Sequence, residues 1–294
     1  TTTRVSVSST GGQSNGSSEY SVISADGRYI AYYSFAGNLV QDDSNSASDV
    51  FVYDRLAKTT ERVSIGSNGQ QGNQDSGRFG VDISADGRYV AFGANASNLV
   101  DDDTNGVPDT FIHDRLTHQT SRVSVSSNGI QGNATSYSLA ISANGRYVAF
   151  SSSASNLVAG DTNGYPDIFL YDQQTDNTER VNLNSSGEQA KDWGSSGVAI
   201  SATGRYVVFG SGASNLVPGD TYGTSDVFVR DRQTGTTRII SINGDGQIGN
   251  DSSSSPKITG DGRYIAFLSE ADNLVPDDVN DRRDAALVIV LAKN

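Results

Sequence analysis

The residues of this sequence best suited to chemistry are aspartates that recur at fixed places. In NLVDDDTNGVPD, Asn98 to Asp109, the first, third and seventh places of a glycine-containing turn hold Asp103, Asn105 and Asp109. In NLVAGDTNGYPD the same places hold Asp161, Asn163 and Asp167. Oxygen ligands at that spacing resemble part of a calcium-binding loop. The bidentate glutamate and fifth-position carboxylate of a complete loop are missing. The competing explanation is an Asx-type turn, in which Asp and Asn satisfy nearby backbone N–H groups. The acidity of the chain makes at least one bound calcium a reasonable expectation, with these six residues as its ligands.

A second set of residues breaks the repetition. Trp193, the only tryptophan, stands beside Lys191 and Asp192, while Tyr165 and Tyr222 lie in the third and fourth acidic loops. Aromatic rings stack on the apolar faces of sugars while neighbouring polar side chains take hydroxyls. Trp193, Tyr165, Tyr222 and Asp192 are therefore the expected ligand-binding set, unless Trp193 only covers a seam. Glu19, Phe79 and Tyr137 open three of the strands and are placed to line or fill a central channel. The catalytic inventory is thin. Of the two histidines, His113 ends a strand where tyrosine stands in other copies, and His118 lies in a short hairpin. Neither has the setting of a triad base or a zinc ligand. A carboxylate pair for glycoside hydrolysis needs one asymmetric site, whereas these aspartates recur, and no catalytic residue is assigned. Arg282 and Arg283 are expected to pair with surrounding aspartates.

The elements that must position these residues follow from an internal repeat. Ile23, Ile83, Ile141, Ile200 and Ile258 recur every 58 to 60 residues, and each is followed by a glycine-bearing turn such as Ala25-Asp26-Gly27. A period a little beyond about 50 residues points to a propeller or a solenoid. Each unit carries four strand-like segments and no helical periodicity. A short strand ends at the isoleucine. After the turn comes an apolar strand (RYIAYYS, RYVAFGA, RYVAFSS, RYVVFGS, RYIAFLS), then the acidic loop, then a third strand such as DVFVYDR, and a fourth such as ERVSIGS. Four antiparallel strands make a propeller blade. The last unit shows three strands (PKITG, RYIAFLS, AALVIVLA), and the segment Thr3–Ser9, TRVSVSS, matches the missing fourth.

The expected fold is therefore all-β: a five-bladed β-propeller with four antiparallel strands per blade. The single domain covers 1–294, with blades near 17–67, 76–127, 134–185, 193–243 and 251–294, and the N-terminal strand 3–9 closes the last blade. In this arrangement the acidic loops and the loops entering each first strand share one elaborate face, where function is expected near the axis.

The stretch Asp86-Gly87-Arg88-Tyr89-Val90-Ala91-Phe92 and the strand end Tyr53-Asp54 resemble the TolB-like, WD40-like (PD40) propeller repeat. There a D-G-(K/R)-x-(I/V)-A-F core precedes a strand ending in aspartate. The resemblance covers essentially the whole chain. It implies the fold, and it implies little about function, because relatives include partner-binding domains, enzyme-attached propellers and sugar-degrading lyases. The domain that names the family has six blades, against five here, so its partner contacts are not carried over.

Composition limits the roles open to such a protein. The 294 residues carry a net charge of -13 and are 35% hydrophobic, with 32 glycines. A surface so acidic repels phosphate backbones and anionic lipid, which argues against nucleic-acid and membrane-surface roles. No run is long enough to cross a bilayer as a helix. Cysteine is absent, which removes disulfides and thiolate chemistry, and the absence of methionine points to a processed or trimmed chain. Together these lead us to expect a secreted or periplasmic monomer, a non-catalytic propeller binding carbohydrate or a protein partner, with calcium as its possible ion. A polysaccharide lyase or glycosidase with an axial site, and a ligandless repeat scaffold, are the alternatives.

Overall fold

In the computed structural model the described residues are 1–220, 223–279 and 282–289. They form five sheets and no helix. Blade one contains β1 (Ser18–Ile23), β2 (Tyr29–Ser34), β3 (Asp49–Asp54) and β4 (Thr59–Arg62). Blade two contains β5 (Ser76–Ile83), β6 (Tyr89–Ala94), β7 (Asp109–Asp114) and β8 (Gln119–Arg122). Blade three contains β9 (Ser136–Ile141), β10 (Tyr147–Ser152), β11 (Asp167–Asp172) and β12 (Asn177–Arg180). Blade four contains β13 (Ser195–Ile200), β14 (Tyr206–Ser211), β15 (Asp226–Asp231) and β16 (Thr236–Ile239). Blade five contains β17 (Ser253–Ile258), β18 (Tyr264–Ser269) and β19 (Asp284–Ile289). Every sheet is an antiparallel meander in chain order, the fold that the five-fold repeat predicts.

The second strands are apolar on both faces because each is sandwiched between neighbouring sheets. Ala31, Val50, Val52 and Val63 of blade one pack against Val81, Val90, Phe92 and Phe111 of blade two in one continuous cluster. Similar clusters join blades two and three, three and four, and four and five. Within the blades, second and third strands pair rings at centroid distances of 5.9, 5.9 and 5.8 Å (Phe92–Phe111, Phe150–Phe169, Phe209–Phe228). The short hairpins are pinned by a second repeated device. The arginine after each turn, Arg28, Arg88, Arg146 or Arg205, clasps the aspartate ending its third strand, Asp54, Asp114, Asp172 or Asp231, at 2.6–2.7 Å. That bond holds Asp54 at about 2 and Asp114 lower still.

Adjacent blades are latched at the same turns. Ala25, Ala85, Ala143 and Ala202 each donate a backbone N–H to the next turn, at Ala85, Ala143, Ala202 and Gly260 respectively. Tyr29, Tyr89, Tyr147 and Tyr206 each lie on the turn glycine of the following blade, Gly87, Gly145, Gly204 and Gly262, so closely that a Cβ there would collide with the ring.

The closing strand is where the structure departs from the sequence-based expectation. Among the described residues blade five has three strands, and Thr3–Ser9 forms no ladder with β19. Instead Val5 and Val7 pack on Ile30, Tyr32, Phe51 and Tyr53 of blade one. Ser9 Oγ accepts from Thr60 N at 2.9 Å, and Thr60 Oγ1 donates to Val7 O. Ile65 and Ser67 make the same bonds to Thr120 of blade two. The N-terminal segment is thus a copy of a blade-to-blade crossover. Its downstream half is anchored on blade one.

Candidate functional site

The acidic loops are built as turns closed by arginine. In blade two, Asn105 Oδ1 accepts from Val107 N at 3.1 Å, the bond of an Asx turn. Its Nδ2 donates to Asp109 Oδ2 at 2.8 Å and to Gly132 O at 2.9 Å, which ties the acidic loop to the crossover hairpin. The Arg122 guanidinium lies 3.3 Å from both Asp103 and Asp109, and Ser124 Oγ donates to Asp109 Oδ1 at 2.5 Å. Blade three repeats the device. Asn163 bonds Tyr165 N and Asp167, and Arg180 stands 3.8 Å from Asp161 and 3.5 Å from Asp167. Arg62 serves Asp43 and Asp49 in blade one. The structure therefore brings Asp103, Asn105 and Asp109 together, and likewise Asp161, Asn163 and Asp167, with a guanidinium supplying positive charge between the carboxylates. Burial raises the carboxyls of Asp103, Asp161 and Asp167 above the usual range, while the arginine opposes that rise. Among the described residues no group of three or more His, Cys, Asp or Glu has the geometry to hold a metal ion.

Blade four is the exception. Tyr222, standing where the other loops have asparagine, lies outside the described residues. Asp226 is buried, accepts from Ser241 Oγ at 2.7 Å, and leaves Oδ2 with no hydrogen-bond partner. Burial pushes its carboxyl up to about 6.

Of the residues expected to hold a ligand, Trp193 and Tyr165 are both exposed. Gly194 abuts Pro166, so the loops carrying the two rings touch. Asp192 adopts φ of 71° and accepts from Ser214 Oγ at 3.2 Å. Beside them, Lys191 lines a groove of about 660 Å³ with Glu179, Glu188, Arg230 and Arg232. His113 is buried and shares a 2.8 Å hydrogen bond between Nδ1 and Thr120 Oγ1, and burial lowers it to about 4. It is a neutral packing residue at neutral pH.

The central channel expected at Phe79 and Tyr137 is present, with residues around it that the sequence reading did not name. One segment from each first strand lines a central cavity of about 670 Å³, including Tyr20, Arg78, Phe79, Tyr137, Gly197 and Lys257. Each of these strands bulges three residues before its isoleucine, at Tyr20, Gly80, Ser138, Gly197 and Ser255, all with φ between 49° and 129°. Left-handed backbone costs a non-glycine residue of order 1 kcal/mol or more and concentrates at functional walls. Next to Tyr20, the Tyr33 hydroxyl donates to Glu19 Oε2 at 2.7 Å. Tyr20 stacks on Tyr33 at 5.9 Å, Phe35 meets Tyr33 edge-on at 6.0 Å, and Arg78 lies 5.9 Å over Phe35. Arg78 also pairs with Asp75 at 3.0 Å. In an adjoining smaller cavity of about 210 Å³, Asp82 accepts from Ile83 N and Ile141 N, both at 2.9 Å. Of the residues placed at the axis by sequence, Phe79 and Tyr137 line the cavity and Glu19 stands beside it. Tyr20, Tyr33, Phe35 and Arg78 carried a readable signal. Each replaces a different residue at the same place in the other copies, for example Gly80, Ser138, Gly197 and Ser255 where blade one has Tyr20.

No family model matches this chain, and no curated protein does. Solved structures match extensively. A putative TolB from Agrobacterium tumefaciens is similar over 95% of this chain and 79% of its own, at 16% identity and a TM-score of 0.55. TolB from Acinetobacter baumannii is similar over 88% of this chain at 18% identity and a TM-score of 0.51. This chain spans 53% of the length of that protein. The β-propeller domain of the Trilobed protease from Pyrococcus furiosus, described as having an open velcro topology, is similar over 94% of this chain and 69% of its own, at 11% identity and a TM-score of 0.53. These likenesses show a TolB-like propeller fold.

Proposed function

We propose that this protein is a non-catalytic binding propeller whose ligand, a carbohydrate chain, enters the axial cavity from the loop-rich face. The observation that carries this reading is the wall of that cavity. Its aromatic and cationic residues occur once each, whereas the repeated aspartates of blades one to three are already engaged in turns and ion pairs. Tyr20, Phe79 and Tyr137 offer ring faces, and Arg78 and Lys257 offer donors beside them. Trp193, Tyr165 and Asp192 supply an outer contact on blades three and four. The acidic loops act as braces with arginine as their resident cation, and calcium is an addition to this reading only if a free ligand position opens. An exported location belongs to the same reading and rests on the acidic, cysteine-free composition.

A second reading, a lyase or glycosidase, draws on the Glu19–Tyr33 contact at the mouth. Burial, with Glu19 adding to it, pushes the Tyr33 hydroxyl up to about 12, which makes it a poor base at neutral pH. A glycan array probed with wild-type protein and with Tyr137→Ala separates these cases. Binding lost in the variant supports the axial site. An array silent with and without calcium removes the carbohydrate ligand, and capture of a protein partner that Tyr137→Ala abolishes would reassign the same cavity.

A further inference from the structure

The residue just before each repeating isoleucine takes the same register in all five blades. Val22, Asp82, Ala140, Ala199 and Lys257 pair with Ala31, Ala91, Ala149, Val208 and Ala266 of the second strands. All five line the smaller axial cavity of about 210 Å³, so one position per blade forms a ring around the axis. Three members of the ring are apolar, and Leu139 and Val198 add to the apolar wall. The other two are an acid and a base, and each occurs once. An axis that only needed filling would repeat its alanine or valine, as the other three blades do.

Asp82 is fixed in place. One carboxylate oxygen accepts from Ile83 N of its own strand and the other from Ile141 N of blade three, both at 2.9 Å. Each oxygen keeps a further lone pair. Burial pushes the carboxyl up to about 6, with the two N–H bonds and Lys257 opposing the rise, so it is largely ionised at pH 7. Lys257 is exposed and lines the same cavity. Among the described residues its ammonium has neither a hydrogen bond nor an ion pair, so the two charges share one apolar pocket without touching. The other charges near the axis are engaged, Arg78 with Asp75 and Glu19 with the Tyr33 hydroxyl.

We infer that this smaller cavity binds a zwitterion, a small molecule carrying an ammonium and a carboxylate on a short apolar body, of which a free amino acid is the simplest. The ammonium meets Asp82, the carboxylate meets Lys257, and the body lies on Val22, Leu139, Ala140 and Ala199. A charge removed from water without a partner is strongly penalised. A cationic ligand would leave Lys257 unanswered, an anionic one would leave Asp82, and a neutral one would desolvate both. A ligand of both signs satisfies the two together through charge-assisted hydrogen bonds. A purely structural role, pinning Ile141 N, accounts for Asp82 but not for Lys257, and the seams at Val22, Ala140 and Ala199 hold without such a pin. This site goes beyond the carbohydrate reading, although it shares Lys257 and part of its wall with the larger cavity.

The test is isothermal titration calorimetry of the full chain at pH 7 with L-leucine, and with γ-aminobutyrate for a wider spacing of the two charges. Isopentylamine and 4-methylpentanoate are leucine with one charged group removed, and propylamine and butyrate are the same for γ-aminobutyrate. At least one zwitterion is expected to bind, at least about tenfold more tightly than its single-charge counterparts. Lys257→Met changes an exposed side chain without partners and retains the fold, checked by thermal melting, and Asp82→Asn keeps an acceptor for one of the two N–H groups. Each should weaken zwitterion binding at least about tenfold. Should Asp82→Asn unfold, Lys257→Met decides alone. No binding of either zwitterion, equal binding of a single-charge counterpart, or binding unchanged in Lys257→Met would each overturn the proposal. A silent glycan array leaves this site standing, and a chain that binds glycans but neither zwitterion loses this site and keeps the other.

Discussion

Asp109 and Asp226 occupy the same place in blades two and four, yet their removal should shift stability in opposite directions. Asp109 is held by Arg122, Asn105 and Ser124. Removing its charge leaves a nearly buried guanidinium with only Asp103 and Gln131 as side-chain partners. Breaking such a pair typically costs about 3–5 kcal/mol, and the remaining partners place Asp109→Asn near the lower end, about 3 kcal/mol. Asp226 has Ser241 alone, and its carboxyl stands at about 6 instead of 3.8. A carboxyl raised on folding opposes the folded state when ionised. The penalty is absent below the unfolded value and fully present above the folded one. A rise from 3.8 to about 6 corresponds to about 3 kcal/mol at most. The amide that replaces the carboxylate still lacks one partner, so Asp226→Asn should gain about 1–2 kcal/mol at pH 7. The measurement is urea denaturation of wild type and both variants at pH 7 and pH 4. The advantage of Asp226→Asn should largely vanish at pH 4, where the wild-type carboxyl is protonated. Two variants shifting in the same direction, or an advantage equal at both pH values, would refute the assignment of arginine as the counter-ion of these loops.

Two further outcomes are expected. Because Arg62, Arg122 and Arg180 already stand between the loop carboxylates, a chelator should leave the melting temperature unchanged and millimolar calcium should raise it by no more than about 1 °C. A rise of several degrees would restore a metal to these loops, since a ligand of the folded state must stabilise it. Gly27 and Gly145 have similar positive φ, 69° and 77°, but only Gly145 lies under a ring, that of Tyr89. Gly27→Ala should therefore cost only about 1 kcal/mol for its backbone, and Gly145→Ala at least about 1–3 kcal/mol more for overpacking. Equal losses in thermal melts would mean that Gly27 too is covered by a ring in solution.

Much of this protein could be read from its amino acids because a repeat shows the same local choice five times. Glycine after Ala-Asp, alternation of apolar runs and the aspartate ending each third strand specify a blade through turn geometry and burial, and both depend on near neighbours in sequence. The acidic loops were legible only as an ambiguity. Asp103, Asn105 and Asp109 fit either a cation or an Asx turn, and the choice depends on Arg122, which reaches them only once β8 pairs with β7. Phe79 and Tyr137 could be set at the axis from their places at the starts of first strands, but the residues they meet there belong to the tertiary structure. Tyr20, Arg78, Tyr137 and Lys257 lie in four different blades, and the curvature that brings them round one axis arises from packing angles between sheets.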